Sequence, residues 1–154
     1  MTIDRSHVGR SFGRHQIEIE KGRVRAFAKS IGEKDPVYSD LDAARAAGLP
    51  SLAVPPTFFS SLCKAGTPSA MAWAEMIGVD LDRILHGEVR FQYLRPVYAG
   101  EVVTVEAKIA DIRSSKRGDL DFVTREIEMR DSDGNIFLRE TDTLIVRDRS
   151  AACA

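Results

Sequence analysis

The spacing of polar and apolar residues changes along the first part of the chain, and this change predicts a strand followed by a helix. Residues 16–20 alternate between polar and apolar side chains, as a short strand with one buried face does. Over residues 21–31 the apolar side chains instead fall at helical spacing, at Val24, Phe27, Ala28 and Ile31. Gly32 follows at the position where a left-handed residue commonly ends a helix.

Further helices are predicted in the middle of the chain. Residues 40–47 read as a short helix, with Asp40 as a suitable N-cap. Residues 57–65 are mostly small or apolar on every side, which is typical of a buried helix, and Pro56 fits the first turn of such a helix. Residues 69–83 predict a stretch that is helical or partly irregular.

From Gly87 onward the pattern predicts one strand after another. Alternating side chains indicate strands over residues 87–93, 101–112, 120–130 and 136–146. An Asp-Gly pair at residues 133–134 is typical of the turn that closes a hairpin. Because the strands follow the helices rather than alternating with them, the chain is predicted to be an α+β protein with an antiparallel sheet.

Bulk composition narrows the possible classes of function. The 154 residues are enough for one domain, with a core over about residues 8–147 and a loose tail over residues 148–154. The net charge of −1 provides no field that would attract nucleic acid or an anionic membrane. We find no signal segment and no apolar run of about 20 residues, so we expect a soluble, cytoplasmic protein. The two cysteines show no metal-ligand spacing, and no metal is expected.

The most specific segment of the chain is residues 32–38, which read Gly-Glu-Lys-Asp-Pro-Val-Tyr. Pro36 disfavours helical backbone at the residue before it, so the segment is predicted to be an extended loop or a turn. It resembles the active-site loop of the MaoC-like hydratases and dehydratases, whose pattern is Gly-Asp-any-Asn-Pro-any-His. Residues 86–91, 95–97 and 99–101 are similar to later segments of the same family.

This resemblance covers about residues 8–146 and implies a hot-dog fold, in which a long antiparallel sheet wraps around a central buried helix. It also implies an activity on acyl thioesters, namely the interconversion of 3-hydroxyacyl and 2-enoyl thioesters by loss or addition of water. The substrate would be carried on CoA or phosphopantetheine, without a further cofactor. The acyl chain in this family lies between two hot-dog domains, so a homodimer, or a heterodimer with a catalytic MaoC-like subunit, is expected.

The catalytic pair of the family is replaced in this chain. The Asp and His positions of the pattern carry Glu33 and Tyr38, and the Asn position carries Asp35. Glu33 moves the carboxylate by about 1 Å, which catalytic positioning would detect. Tyr38 is a poor base at neutral pH, since the ordinary pKa of tyrosine is about 10. We interpret Glu33 and Tyr38 as positions of a degenerate catalytic site. Asp35 is a candidate substrate-binding residue that could serve as a displaced carboxylate, although its place before Pro36 favours a turn-former.

Other candidate site residues lie farther along the chain. The backbone amides that follow Pro56, beginning near Thr57, could stabilise a thioester oxygen, and Phe58 would help to set the length of the pocket. His86 could replace the missing acid or base, although a surface histidine explains it more simply. A basic loop suits either the phosphates of the carrier or a solvated hairpin, and contains Arg113, Lys116 and Arg117.

The chain most resembles the N-terminal, catalytically degenerate type of MaoC-like domain. That type includes FAS1-like dehydratase domains and the substrate-binding subunits of mycobacterial (3R)-hydroxyacyl-ACP dehydratases. The leading hypothesis is therefore a substrate-binding half of a hydro-lyase that needs a catalytic partner. Two alternatives stay open: a self-sufficient homodimer that uses Glu33 with Tyr38 or His86, and a module that binds acyl thioesters without catalysis. Thioester hydrolysis is disfavoured because residues 57–65 contain no carboxylate.

Overall fold

The alternating segments of the sequence form one antiparallel sheet of five strands, in the order β1-β3-β4-β5-β2. The structure is a computed structural model, and it describes residues 3–62 and 72–147. Two strands, β1 and β2, form the edges of the sheet, whereas the three longest strands form its centre. The strands are β1 (Ser11–Glu18), β2 (Ile84–Tyr93), β3 (Val102–Ser114), β4 (Leu120–Arg130) and β5 (Ile136–Arg147).

The described residues also contain four α-helices, α1 (Lys21–Ser30), α2 (Leu41–Ala46), α3 (Phe59–Leu62) and α4 (Ala72–Met76). Helix α1 matches the predicted amphipathic helix and buries Val24 and Ala28. Gly32 lies just beyond it with a φ of 74°, a conformation that glycine adopts without steric cost. Asp40 caps α2 as predicted, because its carboxylate accepts hydrogen bonds from the amides two and three residues ahead. The sheet and these helices together confirm the α+β class.

The boundaries of the first two strands differ from the prediction. β1 spans Ser11–Glu18 instead of residues 16–20, because backbone pairing with β3 extends over residues whose polarity does not alternate. β2 begins at Ile84 instead of at Gly87, since its first residues already pair with the end of β5. His86 therefore lies within β2 and not at its start.

The middle of the chain is confirmed in part. Residues Pro36–Tyr38 form a 3-10 turn. A second 3-10 turn, Pro56–Phe58, leads directly into α3, so the predicted buried helix is confirmed as far as Leu62. The remainder of the predicted helix lies outside the described residues, as does the predicted tail. Within the stretch predicted to be partly helical, α4 is followed by a 3-10 turn at Leu81–Arg83.

Two clusters of buried side chains form the core. The first packs the 3-10 turn at residues 56–58 and α3 against the sheet, and includes Phe58, Phe59, Leu62, Val103, Val105, Ile127, Met129 and Leu138. The second lies around Trp73 of α4, and includes Ile109, Ile112, Val123, Leu144 and Val146. Each cluster thus joins a helical segment to a different part of the same sheet.

The two ends of the sheet are far apart. One end, called the Tyr93 end here, contains the last residues of β1, β2 and β4 and the first residues of β3 and β5. The opposite end, called the hairpin end, contains the loop over residues 115–119 that joins β3 to β4. β3 has 13 residues, so the two ends are separated by about 40 Å.

Candidate functional site

The Tyr93 end contains a pocket of about 610 Å³, a size typical of small-ligand sites. All three tyrosines of the chain, Tyr38, Tyr93 and Tyr98, line this pocket. The rest of the wall is mostly apolar, and is formed by Leu49, Ala53, Val54, Pro56, Phe59, Leu94, Arg95, Pro96 and Val97. An apolar cavity with a few hydroxyl groups is suited to a mainly hydrocarbon ligand that carries a few polar atoms.

Backbone hydrogen bonds of residues 52 and 53 bring the separate segments of the wall together. The amide of Ala53 donates to the carbonyl of Val37 at 3.0 Å, and Ala53 also forms a β-bridge with Tyr98. The amide of Ala99 donates to the carbonyl of Leu52 at 3.0 Å. The loop that resembles an active site is therefore attached to the pocket wall through the segment that precedes α3.

Tyr93 links the edge strand β2 to the beginning of the helical segment. Its hydroxyl donates a hydrogen bond to the carbonyl oxygen of Pro56. Its ring stacks on Phe91 at 5.8 Å and tilts against Phe59 at 6.1 Å. Burial raises the pKa of Tyr93 to about 12, and the charge of Glu140 contributes to the rise. At neutral pH Tyr93 is a protonated hydrogen-bond donor and cannot serve as a base.

Arg95 fixes the loops at the rim of the pocket. Its guanidinium bonds to Glu101 at 2.8 Å and to Asp131 at 3.2 Å, and lies over the ring of Phe137 at 5.4 Å. Burial would raise the pKa of Asp131, but hydrogen bonds from backbone amides, including that of Asn135, and from Arg95 hold this pKa below its usual value. Arg95 thus joins the loop before β3 to the turn between β4 and β5.

The carboxylates of the loop over residues 32–38 bond to the loop itself. Glu33 Oε1 accepts hydrogen bonds from the amides of Lys34 at 2.8 Å and Asp35 at 3.0 Å. Asp35 Oδ1 accepts from the amide of Val37 at 3.0 Å and so forms the turn. Both acidic residues are exposed, and neither lines the pocket, whereas Tyr38 does. Of the two residues at the catalytic positions of the family pattern, only Tyr38 therefore lines the pocket.

The residues at the start of the helical segment divide between the core and the surface. Pro56 lines the pocket, and Thr57 is exposed. Phe58 is buried in the core, where its ring meets that of Phe27 at 5.4 Å, and its amide already donates to Pro55 at 2.9 Å. The pocket wall contains the neighbouring Phe59, whereas Phe58 packs into the core.

His86 lies far from the pocket. It is exposed, pairs with Leu144 and precedes Tyr93 by seven residues along β2, which corresponds to roughly 20 Å. In the sequence, nothing distinguishes Tyr93 from the other alternating residues of its strand. For Arg95, the sequence signal of a role in the site is that residues 95–97 resemble a segment of the family.

Another polar cluster lies within the second core cluster. The Arg125 guanidinium bonds to Asp142 and lies over the ring of Trp73 at 4.5 Å from its centroid. Three buried atoms here have no hydrogen-bond partner in the described structure: Trp73 Nε1, Arg125 Nε and Asp142 Oδ1. Because both charges are buried, removal of either partner would leave the other charge without compensation and would lower the stability of the fold.

Neither a metal site nor a membrane span is seen in the described residues. Over residues 3–62 and 72–147, no group of three or more His, Cys, Asp or Glu side chains is placed to hold a metal ion. In the same residues, no helix has the length and apolar character to cross a bilayer.

Comparison with known proteins relates this architecture to one family. A sequence profile of the FAS1-like, dehydratase domain region matches residues 6–139. A UPF0336 protein of Thermobifida fusca is 34% identical over 148 residues, which is 96% of this chain and 95% of the relative.

Several solved structures have a fold similar to that of this chain. The truncated HadBC (3R-hydroxyacyl-ACP dehydratase) complex of Mycobacterium tuberculosis contains a similar chain, with a TM-score of 0.72 and 22% identity over 85% of this chain and 90% of that chain. A MaoC-like dehydratase has a TM-score of 0.81 and 22% identity over 94% of this chain but 43% of that chain. These likenesses confirm the hot-dog fold expected from the sequence.

Proposed function

Because the chain belongs to the FAS1-like dehydratase domain family, we propose that it is the substrate-binding half of an acyl-thioester hydratase or dehydratase. In this proposal the chain holds the acyl part of a 3-hydroxyacyl or 2-enoyl thioester in the pocket at the Tyr93 end. A catalytic MaoC-like partner supplies the acid and the base. The observation that carries the proposal is an apolar pocket beside an active-site-like loop whose carboxylates accept hydrogen bonds from their own loop and do not line the pocket.

The pocket supports the binding role. Its wall combines aliphatic and aromatic side chains with three phenol groups. Such a lining can bury an acyl chain while leaving few polar groups without a hydrogen-bond partner. The phenol of Tyr93 stays protonated at neutral pH because its pKa is raised to about 12. Because its single proton is donated to the carbonyl oxygen of Pro56, the Tyr93 oxygen can accept a hydrogen bond from a hydroxyl group of the ligand without carrying charge.

The hydrogen bonds within the loop over residues 32–38 favour a catalytic partner over catalysis by this chain alone. Hydration needs a base and an acid that both reach the reacting carbons. Glu33 accepts hydrogen bonds from two amides of its own loop, and His86 is roughly 20 Å along β2 from Tyr93. A self-sufficient dimer built on Glu33 with Tyr38 or His86 is therefore the weaker candidate.

The edge strand β2 is a suitable surface for that partner. It ends the sheet order, and three of its large apolar side chains are exposed: Leu85, Val89 and Tyr93. Unpaired edges with exposed apolar side chains favour association with another strand. The likeness to a chain of the HadBC complex is consistent with such a partner.

The binding role can be tested by filling the pocket. We expect the purified chain to bind decanoyl-CoA in isothermal titration calorimetry, and Val54→Trp to weaken that binding by at least about tenfold, since the new ring would occupy the acyl site. Val102→Trp is the matched control, because Val102 is exposed and does not line the pocket. Circular dichroism would show that both variants are folded. Equal affinities for the two variants would contradict the proposed binding site.

A further inference from the structure

Helix α1 has a cationic stripe. Lys21, Arg25 and Lys29 are all exposed and are four residues apart, so they lie on one side of the helix over a length of about 12 Å. The helix has no acidic residue between its first and last positions. Like charges at this spacing destabilise a helix, so stability of α1 does not account for the stripe.

Ion pairs within residues 3–62 and 72–147 do not neutralise the charges of the stripe, because none of the three cations forms a salt bridge with a carboxylate there. Acidic residues flank α1 at Glu20 and Glu33, and the Glu33 carboxylate is directed at amides of its own loop. Between these two acids the exposed side of α1 is cationic.

The stripe lies beside the wall of the pocket. Arg25 Nε donates a hydrogen bond to the carbonyl oxygen of Ser39 at 2.7 Å, and Ser39 directly follows Tyr38, which lines the pocket. Phe27 on the inner side of α1 contacts Phe58, next to Phe59 of the pocket wall. Arg25 of the stripe is therefore hydrogen-bonded to the residue next to the pocket wall.

The basic loop at the opposite end of the sheet does not have this position. Lys116 and Arg117 lie in the loop at the hairpin end, about 40 Å along the strands from the Tyr93 end. In addition, Arg113 is already paired with Asp111 and lies over the ring of Phe122. The carrier-phosphate role that the sequence allowed for these residues is therefore better placed on α1.

We propose that the stripe of Lys21, Arg25 and Lys29 binds the phosphate groups of the carrier that delivers the thioester. The inference rests on the proposed function, because it requires an acyl thioester in the pocket. Phosphate groups are the shared chemistry of CoA and of a phosphopantetheine arm, and lysine and arginine bind them through charge-assisted hydrogen bonds. A stripe about 12 Å long can contact several phosphates at once, so the site favours CoA over a single phosphate.

A series of three ligands with the same acyl group tests the inference by calorimetry: decanoyl-pantetheine, decanoyl-phosphopantetheine and decanoyl-CoA. We expect affinity to increase with the number of phosphates. In Lys21→Gln/Lys29→Gln, affinity for decanoyl-CoA should fall about tenfold, with no change for decanoyl-pantetheine. Arg25 is left in place because it also holds Ser39.

The matched control is Lys116→Gln/Arg117→Gln, which removes the same charge from the hairpin end and should bind all three ligands as the original chain does. Equal losses in the two double variants would overturn the inference, because net charge and not the stripe would then be responsible. Equal affinity of the original chain for all three ligands would also overturn it, while leaving the proposed function intact. Failure of all three ligands to bind would overturn the proposed function itself.

Discussion

Among the arginines that lie over aromatic rings and pair with carboxylates, Arg95 and Arg125 have different surroundings. Arg95 at the rim of the pocket has a side chain that is 36% exposed, and it bonds to both Glu101 and Asp131. Arg125 beside the second core cluster is only 12% exposed, and within the described residues its one carboxylate partner is Asp142. The first arginine joins two loops in contact with water, whereas the second is a buried charge paired with Asp142.

The difference indicates that the two ion pairs serve different purposes. A buried charge that loses its partner is costly, because water cannot replace the lost interaction. A half-exposed network contributes less to stability, since water competes for each group, but it still fixes the geometry of the loops it joins. We therefore expect Arg125 to govern folding stability and Arg95 to govern the shape of the pocket.

The largest expected effect is on stability in the second core cluster. Asp142→Ala would leave the Arg125 guanidinium buried and unpaired, and we expect the free energy of unfolding to fall by about 3 to 5 kcal/mol in urea denaturation. Asp111→Ala is the control, because Asp111 pairs with Arg113 at an exposed site and should cost less than about 1 kcal/mol. An equal decrease in the free energy of unfolding for the two variants would contradict the larger contribution expected of the buried Arg125–Asp142 pair.

A smaller effect on stability, but a clear effect on binding, is expected at the rim of the pocket. Arg95→Ala removes the bonds to Glu101 and Asp131, and should lower the free energy of unfolding by about 1 kcal/mol. Affinity for decanoyl-CoA should fall several-fold, because the loops of the wall lose their link. Arg90→Ala, at an exposed pair on β2, should change neither quantity. A loss of stability as large as that of Asp142→Ala would erase the contrast between the two arginines.

The last prediction concerns the ionisation of Tyr93, which affects stability only at alkaline pH. Because the pKa of Tyr93 is raised to about 12 from an ordinary value of 10, the neutral phenol stabilises the folded chain below pH 10. That stabilisation is lost as the pH rises from 10 to about 12. Tyr93→Phe should therefore lose less stability over this range than the original chain, in urea denaturation at matched pH values. Identical losses for the two proteins would contradict the burial of this hydroxyl.

Much of the fold could be predicted because its determinants are local. Helix α1, the Asp40 cap and the last three strands follow from side-chain spacing and from turn residues that lie close together in the sequence. The early start of β1 and of β2 could not be predicted, because it depends on backbone pairing with strands that occur much later in the chain. The register of a sheet is set by residues that are far apart in the sequence, so the spacing of nearby side chains does not reveal it.

The candidate site was less predictable for the same reason. The loop over residues 32–38 was recognised from its sequence, but the direction of the Glu33 carboxylate depends on the fold of that loop. Tyr93 enters the site only because its hydroxyl meets Pro56, which is 37 residues away in the sequence. Phe58 and Phe59 have the same side-chain chemistry, and only the orientation of the helical segment decides which of them lines the pocket.

The central claim is that this chain binds an acyl thioester but does not catalyse its hydration alone. The most direct test is the rate of hydration of trans-2-decenoyl-CoA by the purified chain, with and without a MaoC-like partner from the same genome that carries the intact Gly-Asp-any-Asn-Pro-any-His pattern. We predict no hydration by the chain alone, and hydration by the pair at a rate that Val54→Trp in this chain reduces. Turnover by the isolated chain that is abolished by Glu33→Gln would contradict the account.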